Sequence, residues 1–275
     1  MSNNSTASRP LFDLSGQLAV VTGGSRGLGQ YMARALAAAG ADVVVSARRA
    51  ADCDQTVSDI RTAGRKAWAF DLDVRREDSI RAFAEAVSHE AGNVQILVNN
   101  AGCNVRKPVT DVTWEDWSTV VDTNLRGSFF VTKAFVGGMI ERSYGRIINV
   151  GSVTTVFGYG GIVPYCASRG GVLQMTRAMA AEFGGHGITV NCLAPGWFRT
   201  EQVKVLYEDQ SWVDQLVERI PVNRPGHPHD LDGAVVFLSS REAEYVTGQN
   251  LLVDGGITTG SMRVTPQQTG GDAAS

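Results

Sequence analysis

The chain has 275 residues, 43% of them hydrophobic, and a formal net charge of −3. That is enough apolar material for a full core, in one large α/β domain or two small ones. The slightly acidic balance excludes a general nucleic-acid footprint, and no run approaches the roughly 18 apolar residues of a membrane span.

Residues 1–14 read as a loose arm. They contain no apolar export segment, so a cytoplasmic location is expected. Cys53, Cys103, Cys166 and Cys192 are scattered without metal-ligand spacing, which predicts reduced thiols and no metal site. A short apolar run predicts a first strand over 18–22. Leu28, Met32, Ala35, Leu36 and Ala39 then fall on one face of a helix over 27–39, stopped by Gly40. Strands follow at 42–46, 66–70 and 95–99, separated by helices at 50–63 and 76–91. Thr113-x-x-Asp116 resembles a capping box and starts a long helix that runs toward Arg142. A fifth strand at 145–150, a helix at 165–183 and a sixth strand at 188–192 come next. Residues 197–228 are mixed and amphipathic, and about 197–225 form a candidate substrate lid. A helix at 229–239 and a strand at 250–253 close the pattern, leaving a polar tail from Ser261.

Strands and helices alternate with no linker-like break. The expected architecture is a single α/β domain over residues 15–260, with a doubly wound parallel sheet of about seven strands and helices on both faces. Ligands of such sheets bind at the carboxyl ends of the strands. The segments 23–29, 47–49, 99–102, 151–152 and 195–196, together with Asp73, all follow strands and so converge on one edge. In Thr22-Gly23-Gly24-Ser25-Arg26-Gly27-Leu28-Gly29, glycines allow a tight turn, and the helix behind offers free N–H groups to an anion. That combination points to a dinucleotide. The second strand ends in Ser46-Ala47-Arg48-Arg49 without the acid that would bond a ribose hydroxyl. With Arg26 in the turn, two or three cations stand where a 2′-phosphate would lie, which indicates NADP(H). Asp73 is placed to accept from the adenine amino group, with Val74 beneath the ring.

The turn Thr22-Gly23-x-x-x-Gly27-x-Gly29, the segment Asn99-Asn100-Ala101-Gly102, then Asn124, Ser152, Tyr165, and Pro195-Gly196 with Thr200 occur in the order and spacing of one family. Over about residues 14–257 the chain resembles the short-chain dehydrogenase/reductase family. The resemblance implies a Rossmann-type fold and catalytic roles for Asn124, Ser152, Tyr165 and the residue at 169. It also implies cofactor contacts from Gly23, Ser25, Arg26, Gly27, Leu28, Gly29, Ala47, Arg48, Arg49, Asp73, Val74, Asn100, Ala101, Gly102, Tyr165, Arg169, Pro195, Gly196 and Thr200. Family members are usually tetramers that pack the helices at about 113–142 and 165–183 against their mates, so a homo-oligomer is expected.

One position departs. The family pattern is Tyr-x-x-x-Lys, and this chain reads Tyr165-Cys166-Ala167-Ser168-Arg169. The spacing keeps residue 169 one turn from Tyr165 on the same helical face. Hydride transfer to a carbonyl leaves an alkoxide that needs a proton. A tyrosine hydroxyl can supply it, and a fixed cation beside a phenol favours the ionised form. Arginine keeps the charge but is longer, planar and permanently protonated. At this position it could displace the water that Asn124 would hold in a proton relay. Ser152 is expected to bond the substrate oxygen as charge develops there.

For the substrate, Ser152, Thr154, Tyr159, Tyr165, Trp197, Arg106 and Arg199 are candidates, the two arginines as partners of a carboxylate or polyol. Arg106-Lys107-Pro108 and the segment 195–201 most resemble the gluconate 5-dehydrogenase branch, with the 3-oxoacyl carrier-protein reductases next. The implied activity is an NADP(H)-dependent interconversion of a carbonyl and a secondary alcohol on a small polar substrate, of keto-sugar acid or sugar type. Arg169 also leaves open a cofactor-binding regulator with impaired chemistry, or non-redox proton chemistry such as dehydration or epimerisation.

Overall fold

A computed structural model describes residues 10–200 and 207–260. The first nine residues of the predicted arm, residues 201–206 of the predicted lid and the predicted tail from Ser261 lie outside the described residues. The strands are β1 (Leu18–Thr22), β2 (Asp42–Ala47), β3 (Ala67–Asp71), β4 (Ile96–Asn99), β5 (Gly145–Val150), β6 (Ile188–Pro195) and β7 (Asn250–Val253). The helices are α1 (Gly27–Ala38), α2 (Asp54–Thr62), α3 (Glu77–Glu90), α4 (Trp114–Val121), α5 (Gly127–Glu141), α6 (Val163–Phe183), α7 (Gln210–Glu218) and α8 (Asp232–Ser239). Among the described residues, no helix is long and apolar enough to cross a membrane.

The strands form one sheet in the order β3-β2-β1-β4-β5-β6-β7, and every pairing is parallel. Successive side chains on a strand point to opposite faces, so continuous apolar runs such as Val43-Val44-Val45 feed both layers. Val21, Val43, Val45 and Val98 pack with Met32 and Leu36 of α1, Ile60 of α2 and Val235 of α8. Val20, Val44, Leu97 and Ile147 pack with Phe83 of α3, Val131 and Met139 of α5 and Met179 of α6. The chain leaves β1 toward β2 and β3, then returns to the other side of β1 as β4. The crevice at this reversal, above β1 and β4, is where an open parallel sheet offers room for a ligand.

Three details differ from the sequence reading. Leu14, assigned to the loose arm, is fully buried, and its N–H donates to Ala39 O at 2.8 Å. The docked chain therefore begins within the predicted arm. β6 continues three residues beyond its expected end. The single helix expected from Thr113 is broken by a π-turn at Asp122–Arg126. Its predicted cap is present: Thr113 Oγ1 accepts the Asp116 N–H, and Asp116 Oδ2 accepts the Thr113 N–H.

Candidate active site at the carboxyl edge of the sheet

The strand ends open onto one groove of about 850 Å³. All the residues expected to contact a cofactor line it. The glycine turn is shaped by close contact. Gly23 has φ +65°, a conformation that side chains rarely take. A Cβ at Gly29 would overlap Gly23 O and Asn100 Nδ2. Asn100 is a brace as well as a wall of the groove. Its Nδ2 donates to Thr22 O (2.9 Å) and Gly23 O (3.1 Å). Thr22 Oγ1 accepts the N–H groups of Asn100 and Ala101, both at 3.0 Å. Through these bonds β4 holds the end of β1 open. Asn99 points away from the groove, bonding Thr132 Oγ1 and Asn149 Oδ1 in the buried layer.

The cations at the β2 corner differ in their commitments. Arg49 forms an ion pair with Asp52 at 2.7 Å. Arg75, which the sequence reading missed, lines the groove and pairs with Asp73 at 3.0 Å. Its hydrogen bond to the Asp73 carboxyl holds that group below the usual carboxylate range. Asp73 also accepts the Arg75 N–H at 3.0 Å, so it shapes the entry to α3 while lining the groove. Arg26 and Arg48 are exposed and have no ion pair among the described residues.

At the other end, Ser152 follows β5 and Tyr165 stands in the first turn of α6, behind Pro164. Proline suits this position because the first helical N–H groups need no intrahelical partner. Ser152 Oγ accepts the Thr154 N–H at 3.2 Å, which leaves its own hydrogen to donate elsewhere. Arg169 is 5% exposed. Its guanidinium carbon lies 5.0 Å from the centroid of the Tyr165 ring, a cation–π arrangement. Nη1 donates to Val150 O at 2.6 Å. A Cβ at residue 102 would sit 2.5 Å from Nη2, so Gly102 makes room for the longer side chain. Nε is buried with no hydrogen-bond partner among the described residues.

Two expected site residues are placed elsewhere. Asn124, within the π-turn, is fully buried and does not line the groove. Its Oδ1 accepts the Cys103 N–H at 2.8 Å, and its Nδ2 donates to Cys103 O and Ser168 Oγ, both at 3.0 Å. Ser168 in turn donates to Tyr165 O at 2.7 Å. Asn124 thus clamps the loop after β4 to α6. Arg199 is exposed, lies off the groove and stacks over Tyr207 at 5.3 Å.

The other substrate candidates share one wall. Arg106 lies 5.8 Å from the Tyr159 ring centroid, and Tyr159 meets Trp197 edge-on with centroids 5.8 Å apart. The Lys107 N–H donates to Gly161 O at 2.9 Å, and its amine pairs with Asp116 at 2.6 Å. That pairing pulls the Asp116 carboxyl down to about 2. With residue 107 pinned, Arg106 is left as a groove cation without a carboxylate partner among the described residues. Phe157, Ile162 and Phe198 complete the apolar lining. They sit in loops the sequence had marked, but nothing in their spacing showed which way they would point. Thr119 and Thr123 also line the groove, four residues apart on the helical run expected from Thr113, where the sequence singled out Asn124 but neither threonine. Burial pushes the thiols of Cys53 and Cys192 up to about 11 and about 12, so neither is a nucleophile at neutral pH.

A family model described as enoyl-(acyl carrier protein) reductase matches residues 23–258. The gluconate 5-dehydrogenase of Gluconobacter oxydans (strain 621H) is 42% identical over 248 residues, covering 90% of this chain and 97% of that protein. The 5-keto-D-gluconate 5-reductase of Escherichia coli (strain K12) is 37% identical over 247 residues, 90% of this chain and 97% of its own. Among solved structures, a gluconate 5-dehydrogenase from Burkholderia cenocepacia J2315, in complex with NADP and tartrate, superposes with a TM-score of 0.88. It is 38% identical and covers 91% of this chain and 98% of that one.

Proposed function

The chain belongs to the short-chain dehydrogenase/reductase family, and from that membership we propose an NADP(H)-dependent oxidoreductase that interconverts a ketone and a secondary alcohol on a sugar acid. The observation that carries the reading is the single groove: Arg26 and Arg48 at one end, Ser152, Tyr165 and Arg169 toward the other, and Arg106 on the wall beyond. The names of the Gluconobacter and Escherichia relatives support the substrate class, and the NADP in the Burkholderia structure supports the cofactor.

The groove fits such a cofactor. The glycine turn is a cradle that a Cβ at Gly29 would fill, and it opens onto the N-terminus of α1. Ser46 and Arg169 line the groove, and Ser46 Oγ and Arg169 Nε are buried without partners among the described residues. Arg26 and Arg48 would hold the 2′-phosphate, and the turn from Gly23 to Gly29 the pyrophosphate. Asn100 to Gly102, with Pro195, Gly196 and Thr200, would border the nicotinamide end. Bound there, the nicotinamide supplies a hydride in reduction and takes one in oxidation. Ser152 donates its hydroxyl hydrogen to the substrate oxygen and steadies the charge that grows on it. The Tyr165 hydroxyl gives its proton to that oxygen in reduction and withdraws it in oxidation. Arg169 keeps a fixed positive charge against the Tyr165 ring, and Asn124 acts at a distance by clamping the loop and α6. Arg106 takes the substrate carboxylate, while Tyr159 and Trp197 cover the apolar face of the sugar chain.

Two measurements test the reading. NADPH absorbance falls when 5-keto-D-gluconate is added, and Arg106→Ala raises the KM for that acid by roughly tenfold to a hundredfold, the worth of a charge-assisted hydrogen bond. A small neutral ketone shows no such change. An unaltered KM for the acid removes Arg106 from the substrate site. For the cofactor, Arg48→Asp replaces a phosphate partner with a repelling charge and lowers the NADPH:NADH preference by about a hundredfold. An unchanged preference means that another group reads the phosphate.

A further inference from the structure

Thr56 lies on α2 and is fully buried, although nothing in its sequence setting marks it. Its hydroxyl donates to Gly24 O at 2.9 Å and accepts from Gln30 Nε2 at 3.0 Å. The N–H of Gly24 donates to Ser46 O, at the end of β2, at 3.0 Å. Gly24 is therefore gripped on both sides, by β2 through its nitrogen and by α2 through its oxygen. Arg26 stands two residues after Gly24, and Arg48 two residues after Ser46. These are the groove cations of the β2 corner left without an ion pair among the described residues, since Arg49 is tied to Asp52 and Arg75 to Asp73. Beyond the β1–β2 ladder, which ends at Thr22 and Ser46, the bond from Gly24 to Ser46 is the last tie between the segments that carry these two arginines, and Thr56 holds that joint in place.

We propose that Thr56, supported by Gln30, is a positioning residue for cofactor discrimination: its bond to Gly24 O fixes the distance across which Arg26 and Arg48 receive a 2′-phosphate. This rests on the reading that those arginines hold the phosphate of NADP(H). The rest of the glycine turn has separate anchors. Asn100 bonds Thr22 O and Gly23 O, and it packs where Gly29 lacks a Cβ. Loss of the Thr56 hydroxyl therefore loosens the phosphate corner more than the pyrophosphate cradle. It also leaves a buried carbonyl and a side-chain amide unpaired, which makes the native geometry costly to keep.

The test is direct binding without turnover. The protein is titrated with NADPH and with NADH, both dissociation constants are read from its intrinsic fluorescence, and melting temperatures are recorded alongside. In Thr56→Val the NADPH:NADH affinity ratio falls roughly tenfold, the size of one lost buried hydrogen bond. Thr56→Ser, which keeps the hydroxyl, holds the native ratio. Gln30→Ala leaves the bond to Gly24 but frees the hydroxyl, and shifts the ratio in the same direction by about threefold. A native ratio in both Thr56→Val and Gln30→Ala overturns the inference. So does an equal loss for the two cofactors, which would mean a general weakening of the turn, or a Thr56→Ser protein as impaired as Thr56→Val. A native protein with no preference for NADPH refutes the cofactor reading itself, and this inference with it.

Discussion

Tyr165→Phe lowers kcat/KM for reduction of a keto-sugar acid by about a thousandfold, within the range that a positioned proton donor contributes. The substitution removes one oxygen and keeps the ring. The Tyr165 hydroxyl makes no hydrogen bond to the described residues, so its loss leaves no buried partner stranded. The ring retains its place over the Arg169 guanidinium, whose carbon lies 5.0 Å from its centroid. Melting temperature and NADPH affinity therefore stay close to native while turnover collapses. That combination assigns the loss to the proton step. A Phe variant within threefold of native turnover, measured by NADPH absorbance, would remove Tyr165 from the mechanism.

The second large effect is expected at Arg169. Methionine fills much of the same channel without charge, so Arg169→Met lowers kcat by about a hundredfold, as removal of one preorganised electrostatic partner does. This variant also strands Val150 O, which accepts from Nη1 at 2.6 Å, and its melting temperature falls by several degrees. Arg169→Lys separates the charge from the shape. Lysine keeps the positive charge but not the planar fork, so its kcat stays within about tenfold of native if the charge is what matters. Native-like turnover in the Met variant makes Arg169 a space-filler. A Lys variant more than tenfold faster than native identifies the arginine as an impairment, and moves the weight to a cofactor-binding protein with weakened chemistry.

Much of the site was legible because buried parallel strands announce themselves. Runs such as Val43-Val44-Val45 are apolar on both faces, and the residues after each run must gather at one edge of the sheet. The glycine turn, the Asn99–Gly102 segment, Ser152 and Pro195–Gly196 could be placed on that edge from order alone, whereas Tyr165, on a helix, was marked only by the family resemblance. Direction was harder to read. Arg48 and Arg49 are adjacent and alike, yet Arg49 is drawn to Asp52 while Arg48 stands at the groove without an ion pair among the described residues. Arg199 was grouped with Arg106 as a carboxylate partner, but it turns outward to stack on Tyr207. Asn124 was expected near a proton path. An extra residue per turn at Asp122–Arg126 instead sits where that side chain reaches Cys103 and Ser168. A period of 3.6 residues predicts a helix but carries no mark for one widened turn.

Apolar runs and the order of the segments between them were enough to read the parallel sheet and the edge on which chemistry gathers, because both are written in the local chain, and the family resemblance marked Arg169 in place of the usual lysine. What each polar group at that edge is bonded to depends instead on contacts between distant segments. Thr56 meets Gly24 across 32 residues, Asn124 meets Cys103 across 21, and Arg169 meets Val150 across 19. Buried polar atoms must find partners wherever packing brings them close. Those partners are fixed by how the helices dock on the sheet, which no local stretch of the chain records.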